Sequence, residues 1–117
     1  MKERYKNRIE LLQGTLDFMI LQALRWGPQH GYGISLVIRT NSREAFQVPT
    51  GSLYPALHRM ERKGWITSSW EIAKDRNREF KFYRMTVAGK KQLATEESKW
   101  NQLVTAIGRM MRPAEES

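Results

Sequence analysis

From Gly14 onward the apolar residues of this 117-residue chain settle into a helical rhythm. Leu16, Met19, Ile20, Ala23 and Leu24 share one helical face, with Thr15 placed to cap it and Asp17 suited to its first turn. Gly27 and Pro28 end that helix. His30-Gly31-Tyr32-Gly33 predicts a compact turn, after which Ile34, Val37 and Ile38 at i, i+3 and i+4 predict a shorter helix to about Asn41. The polar stretch Ser42 to Gln47 leads to a third helix, where Leu53, Ala56, Leu57 and Met60 at i, i+3, i+4 and i+7 form one narrow apolar stripe. Thr50 or Ser52 can cap its start, and Pro55 confines that start to within about one turn upstream. Arg62 and Lys63 complement the negative end of its dipole, and Gly64 is placed as the left-handed residue that closes it.

After Gly64 the period changes. Trp65, Ile66, Thr67 and Trp70, then Phe80, Phe82 and Tyr83, favour strands, and Ala73 to Arg78 between them is polar and turn-prone, so a hairpin with a basic tip is predicted. Thr86 then caps a last helix in which Leu93, Trp100 and Ile107 stand seven residues apart, flanked by Leu103, Val104, Met110 and Met111. Pro113 stops it before a short acidic tail. Three helices followed by a two-stranded hairpin is the order of a winged helix-turn-helix, in which the third helix enters the major groove and the hairpin reaches flanking DNA. The predicted class is therefore α+β, mainly α: a winged helix-turn-helix with an added C-terminal dimerisation helix. Residues 1–86 would form an N-terminal arm and the DNA-binding domain and residues 87–117 the dimerisation helix and tail, as one compact unit. Leu93, Trp100, Leu103, Val104, Ile107 and Met111 are the predicted interface residues, since an exposed apolar stripe on a monomer would seek cover; covering the monomer's own core is the competing use of this stripe.

Charge narrows the partner. Twenty Lys and Arg against 12 Asp and Glu give a formal net charge of +8, which suits an anionic surface, either nucleic acid or anionic membrane. No apolar run approaches the roughly 20 residues of a membrane span, and the N-terminus lacks the apolar core of a signal peptide, so a cytoplasmic protein without membrane attachment is expected. The absence of cysteine removes disulfides, thiolate nucleophiles and Cys-based metal sites, and His30 and His58 alone make a His-rich site improbable. No cofactor and no enzymatic activity are expected, and His30 reads as structural. The DNA-contact candidates are Thr50, Ser52, Tyr54, His58, Arg59 and Arg62 on the third helix, with Lys74, Arg76 and Arg78 on the hairpin. Arg59 suits guanine or a phosphate equally; Tyr54 could instead pack against the wing, His58 be merely exposed and Lys74 a solubilising charge.

Four stretches go further: LLQGTLDFMILQAL from Leu11, GPQHGYGI from Gly27, GSLYPALHRMERKGWI from Gly51 and KFYRMTVAGKKQL from Lys81. On these the chain, from about Leu11 to Met111, resembles the PadR family of bacterial transcriptional regulators. Its single C-terminal helix is similar to the short subgroup, and its Trp- and Arg-rich character to the acidobacterial set. The resemblance implies a dimeric repressor that binds a palindromic operator, often near its own gene or a neighbouring transporter gene. It also implies a small aromatic effector, because some short relatives hold flat aromatic compounds between paired tryptophans at the dimer centre, and Trp100 approximately matches that position; plain interface packing is the competing reading. Glu79-Phe80 departs from the more basic strand entrance expected of the family. The rival to DNA binding is a basic winged-helix protein–protein interaction module docking an acidic partner.

Overall fold

The computed structural model describes residues 13–73 and 77–112. Four helices and three strands lie there in the order α1 (Gln13–Ala23), β1 (Gln29–His30), α2 (Gly31–Asn41), α3 (Thr50–Arg62), β2 (Ile66–Ala73), β3 (Arg78–Met85) and α4 (Val87–Met111). This is the α+β, mainly helical winged helix-turn-helix anticipated above. The N-terminal arm before Gln13, Lys74 and Arg76 at the hairpin tip, and the tail after Arg112 lie outside the described residues.

The core forms where the helical stripes meet. Leu16, Ile20, Leu21 and Leu24 of the α1 region face Ile34 and Ile38 of α2 and Leu53, Ala56, Leu57 and Met60 of α3, with Ile66, Tyr83 and Leu93 closing the hairpin and α4 sides. The stripe predicted for α3 is its buried face. Its ends differ in accuracy. Neither Thr50 nor Ser52 caps α3: extended Pro49 is the cap, and its carbonyl accepts the Ser52 and Leu53 N–H groups at 2.9 Å each, so both hydroxyl residues stand inside the first turn. At the other end Gly64, at φ +78°, and Trp65 donate back to Glu61 and Met60 in the reciprocal pattern of a Schellman motif. Thr15 is likewise not a cap, because α1 is already helical at Gln13.

β1 was not legible as a strand. The stretch read as a turn contains a two-residue strand pairing with β3 through Gln29↔Tyr83 and His30↔Phe82, which makes a sheet of order β1-β3-β2. His30 then caps α2, its Nδ1 accepting the Gly33 N–H at 2.9 Å. The β2–β3 hairpin keeps an unbroken register from Ile66↔Met85 to Ala73↔Arg78. Thr86 caps α4 as predicted, accepting from the Gly89 N–H at 3.0 Å, and its own N–H reaches the Trp65 carbonyl at 3.0 Å. Gly89 lies against that same carbonyl so tightly that any Cβ would collide with backbone.

Only the base of α4 joins the core. Gly89 and Leu93 are buried, whereas Leu103, Val104, Ile107, Met110 and Met111 are exposed. The helix therefore projects, and the radius of gyration of 16.7 Å exceeds the roughly 13 Å of a compact domain of this length. Leu93, at 4% exposure, is corrected from dimer-interface candidate to core residue: its own monomer already covers it.

Candidate nucleic-acid interface

Burying Leu53, Ala56, Leu57 and Met60 turns Thr50, Ser52, Tyr54, His58 and Arg62 outward, and all five are exposed. Arg59 behaves otherwise. It lies on the flank of α3 facing α1, where its Nη2 donates to a carboxylate oxygen of Asp17, a residue only 8% exposed. A guanidinium held by a buried carboxylate has less freedom to reach a base edge, and the structure gives Arg59 a part that its place among the DNA-contact candidates did not show, the tie between α3 and α1. On the opposite flank the Tyr54 phenol packs onto Gly31 at the start of α2, where a Cβ would collide with the ring. Tyr54 thus packs on α2 and still presents part of its edge to solvent.

The wing is braced against α3 and within itself. Ser68 Oγ donates to Glu61 Oε2 at 2.7 Å, joining β2 to α3. Across the hairpin Arg84 donates to Ser69 Oγ and Glu71 Oε2 at 2.9 Å each, while Ser69 Oγ donates to the same carboxylate at 2.7 Å. The Ser69 hydrogen bond, then the Arg84 guanidinium, hold the Glu71 carboxyl below its ordinary value. Tyr83 at the root is buried, and that burial, followed by the Glu61 carboxylate and Tyr54, pushes its phenol above the ordinary value.

Between α3 and the wing these braces leave a cleft of about 440 Å³. One wall is Tyr54 and His58, the other Trp70, Phe80 and Lys81, with His30 and Tyr32 at one end. His30 stacks on Phe80 at 5.1 Å between ring centroids and meets Phe82 edge-on at 5.5 Å. Arg78, the predicted wing cation that the described residues include, is exposed and stands 5.5 Å over the Phe80 ring, and Lys81 stands 5.7 Å from the Tyr83 ring. The structure thus brings Tyr54, His58 and Arg78 around one opening. Sequence reasoning overlooked Tyr32, Trp70 and Lys81 there; the signal for Tyr32 was an aromatic between two turn glycines, and for Trp70 the strand alternation with Ile66, Ser68 and Ile72.

Farther off, Trp100 is half exposed on α4 and touches its own monomer's Phe18, with ring centroids 6.3 Å apart, while Arg25 and Glu97 bridge α1 and α4 at 3.0 Å. No helix among the described residues is long and apolar enough to cross a membrane.

Three packed helices, a short strand between the first two, and a hairpin beside the exposed face of the third define a winged helix-turn-helix DNA-binding protein. The Transcriptional regulator PadR-like family pattern matches residues 20–95, and the chain belongs to that family. A transcriptional regulator of Clostridium thermocellum is similar in structure, with TM-score 0.74 and 29% identity, covering 83% of this chain and 90% of that one. A PadR family transcription regulator of Clostridium difficile gives TM-score 0.72 and 26% identity over 82% and 97% of the two chains. The transcriptional regulator Rv3488 of Mycobacterium tuberculosis is 33% identical over 66 residues, 56% of this chain and 60% of that protein. The family consists of transcription regulators, so the chain is a DNA-binding regulator and not an enzyme.

Proposed function

We propose that the chain is a homodimeric repressor that occludes a palindromic operator in the cytoplasm, inserting two copies of α3 into major grooves about one helical turn apart. The observation that carries this is the outward face of α3, where Ser52, Tyr54, His58 and Arg62 are left exposed and Tyr54 and His58 wall the wing cleft. Ser52, Tyr54 and His58 supply the groups suited to base edges; Thr50, Arg62 and Arg78 suit phosphates. Lys74 and Arg76 extend the basic tip by sequence alone. Dimerisation runs through the exposed stripe of Trp100, Leu103, Val104, Ile107 and Met111 on α4. A small aromatic effector at Trp100 would share that interface with Phe18, whose ring is tilted 42° to the indole at 6.3 Å between centroids.

The test is selection of bound sequences from a random duplex pool, followed by titration of a recovered site across salt concentrations. A two-fold consensus and a log–log salt slope near −7, as expected for roughly 8 phosphate contacts, are the expected results. A slope near zero with no consensus would remove the reading and favour the docking of an acidic protein partner.

A further inference from the structure

The wing carries an apolar feature that a basic DNA-binding surface does not require. Ile66, Ser68, Trp70 and Ile72 alternate along one face of β2. At the root this face is core: Ile66 is buried and Ser68 is tied to Glu61. Two steps outward the same face continues past the core's edge, and Trp70 and Ile72 are 64% and 66% exposed. An adjacent pair of large apolar side chains left open on a monomer marks a binding surface. Trp70 lines the cleft that Tyr54 and His58 wall from the α3 side, and Ile72 continues the strip toward the tip.

The charges around the strip select its occupant. Lys81 is the cross-strand partner of Trp70, and Arg78 lines the same cleft, so two cations rim the strip on a chain of net charge +8. A polyanion with apolar surface between its charges fits this arrangement, and a DNA strand has both, with deoxyriboses spaced between phosphates. Glu79 sharpens the division. It pairs across the hairpin with Ile72 and opposes a phosphate at that end, so the contact there is with sugar and not with charge. We infer that Trp70 and Ile72 form an apolar strip on which deoxyriboses of one DNA strand pack, while Lys81 and Arg78 hold the phosphates on either side. This rests on the DNA-binding reading above and adds to it a contact that salt does not weaken, because no counterion is released where no phosphate is neutralised.

The test measures duplex affinity at several salt concentrations for the full chain and for Trp70→Ala, Ile72→Ala, Ile72→Lys and Lys81→Ala. Each alanine variant of the strip should weaken binding more than threefold at every salt concentration with the slope unchanged. Lys81→Ala should make the slope shallower by about 0.9. Ile72→Lys is the sharpest arm: it adds a cation on the DNA-facing side, yet it should weaken binding. Tightening by Ile72→Lys, or changes under threefold for both Trp70→Ala and Ile72→Ala, would overturn the strip while steep salt-dependent binding by the unaltered chain leaves the DNA-binding reading intact. No duplex binding by the unaltered chain would overturn both. Circular dichroism and sedimentation of each variant should match the unaltered chain, and a changed oligomeric state in Trp70→Ala or Ile72→Ala would reassign the strip to a contact between copies and overturn the inference.

Discussion

Replacing Asp17 with alanine removes the carboxylate that holds Arg59 and leaves a guanidinium against the α1–α3 junction with its partner gone. Breaking a buried ion pair from one side costs about 3–5 kcal/mol, because the remaining charge stays desolvated. Here the Arg59 side chain retains 23% of its exposure and can swing partly into water, which lowers the expected loss to about 2–3 kcal/mol. At about 2.1 cal/mol/K of unfolding entropy per residue, 117 residues convert 2.5 kcal/mol into a fall in Tm of about 10 °C. Thermal melts followed by circular dichroism would show it. The discriminating partner is the double variant Asp17→Leu with Arg59→Met, which removes both charges and fills the junction with apolar volume; it should recover most of the lost stability and keep the sequence preference of the unaltered chain. A Tm shift under 3 °C for Asp17→Ala, or a double variant no more stable than either single one, would refute the buried-pair argument. Loss of preference at one operator base pair in a well-folded double variant would give Arg59 the role of base reader as well.

Gly89→Ala should cost about 3 kcal/mol or more, since the new methyl meets the Trp65 carbonyl and cannot be relieved by rotating a side chain; a melt within 3 °C of the parent would show that the α4 base shifts freely. Ile107→Glu places a charge in the proposed interface and should yield a monomer in sedimentation that keeps its helical signal and loses operator affinity; a persisting dimer would move the interface off this face. The raised Tyr83 phenol means that its contribution is fully present below the ordinary value of 10.0 and is lost as pH rises through the folded value, because the unfolded chain ionises first. Tyr83→Phe should therefore unfold less steeply than the parent above pH 10, and identical alkaline melts would remove Tyr83 from that transition.

What could be seen in the sequence was local. The Leu53 to Met60 stripe, the left-handed Gly64 and the Thr86 cap each depend on residues within one or two turns, and each stands where the pattern put it. What could not be seen depended on partners far along the chain. Asp17 lies 42 residues from Arg59, and on a helical wheel a flank arginine looks like any other outward cation. β1 is a strand only because β3 lies beside it, since two residues carry no period of their own. Leu93 shares heptad spacing with Trp100 and Ile107, but only the first turns of α4 cross the core, so the same spacing buries one residue and exposes the others. Trp70 and Ile72 continue an alternation whose inner members are core, and alternation does not say where a core ends.

The junction of Gly64, Trp65, Thr86 and Gly89 has a mechanical consequence. One peptide carbonyl receives the α4 cap and faces its closest-packed glycine, immediately after the end of α3, so the reading helix and the root of α4 are set by the same few atoms. From that root α4 runs 25 residues, about 37 Å at 1.5 Å per residue. A tilt of about 5° at the junction displaces the far end by roughly 3 Å, close to the 3.4 Å rise along the duplex axis from one base pair to the next. In the proposed dimer the far ends are joined, so the same tilt becomes a change in the gap between the two reading helices. The stiffness of one glycine contact is then the tolerance with which the pair measures the distance between half-sites.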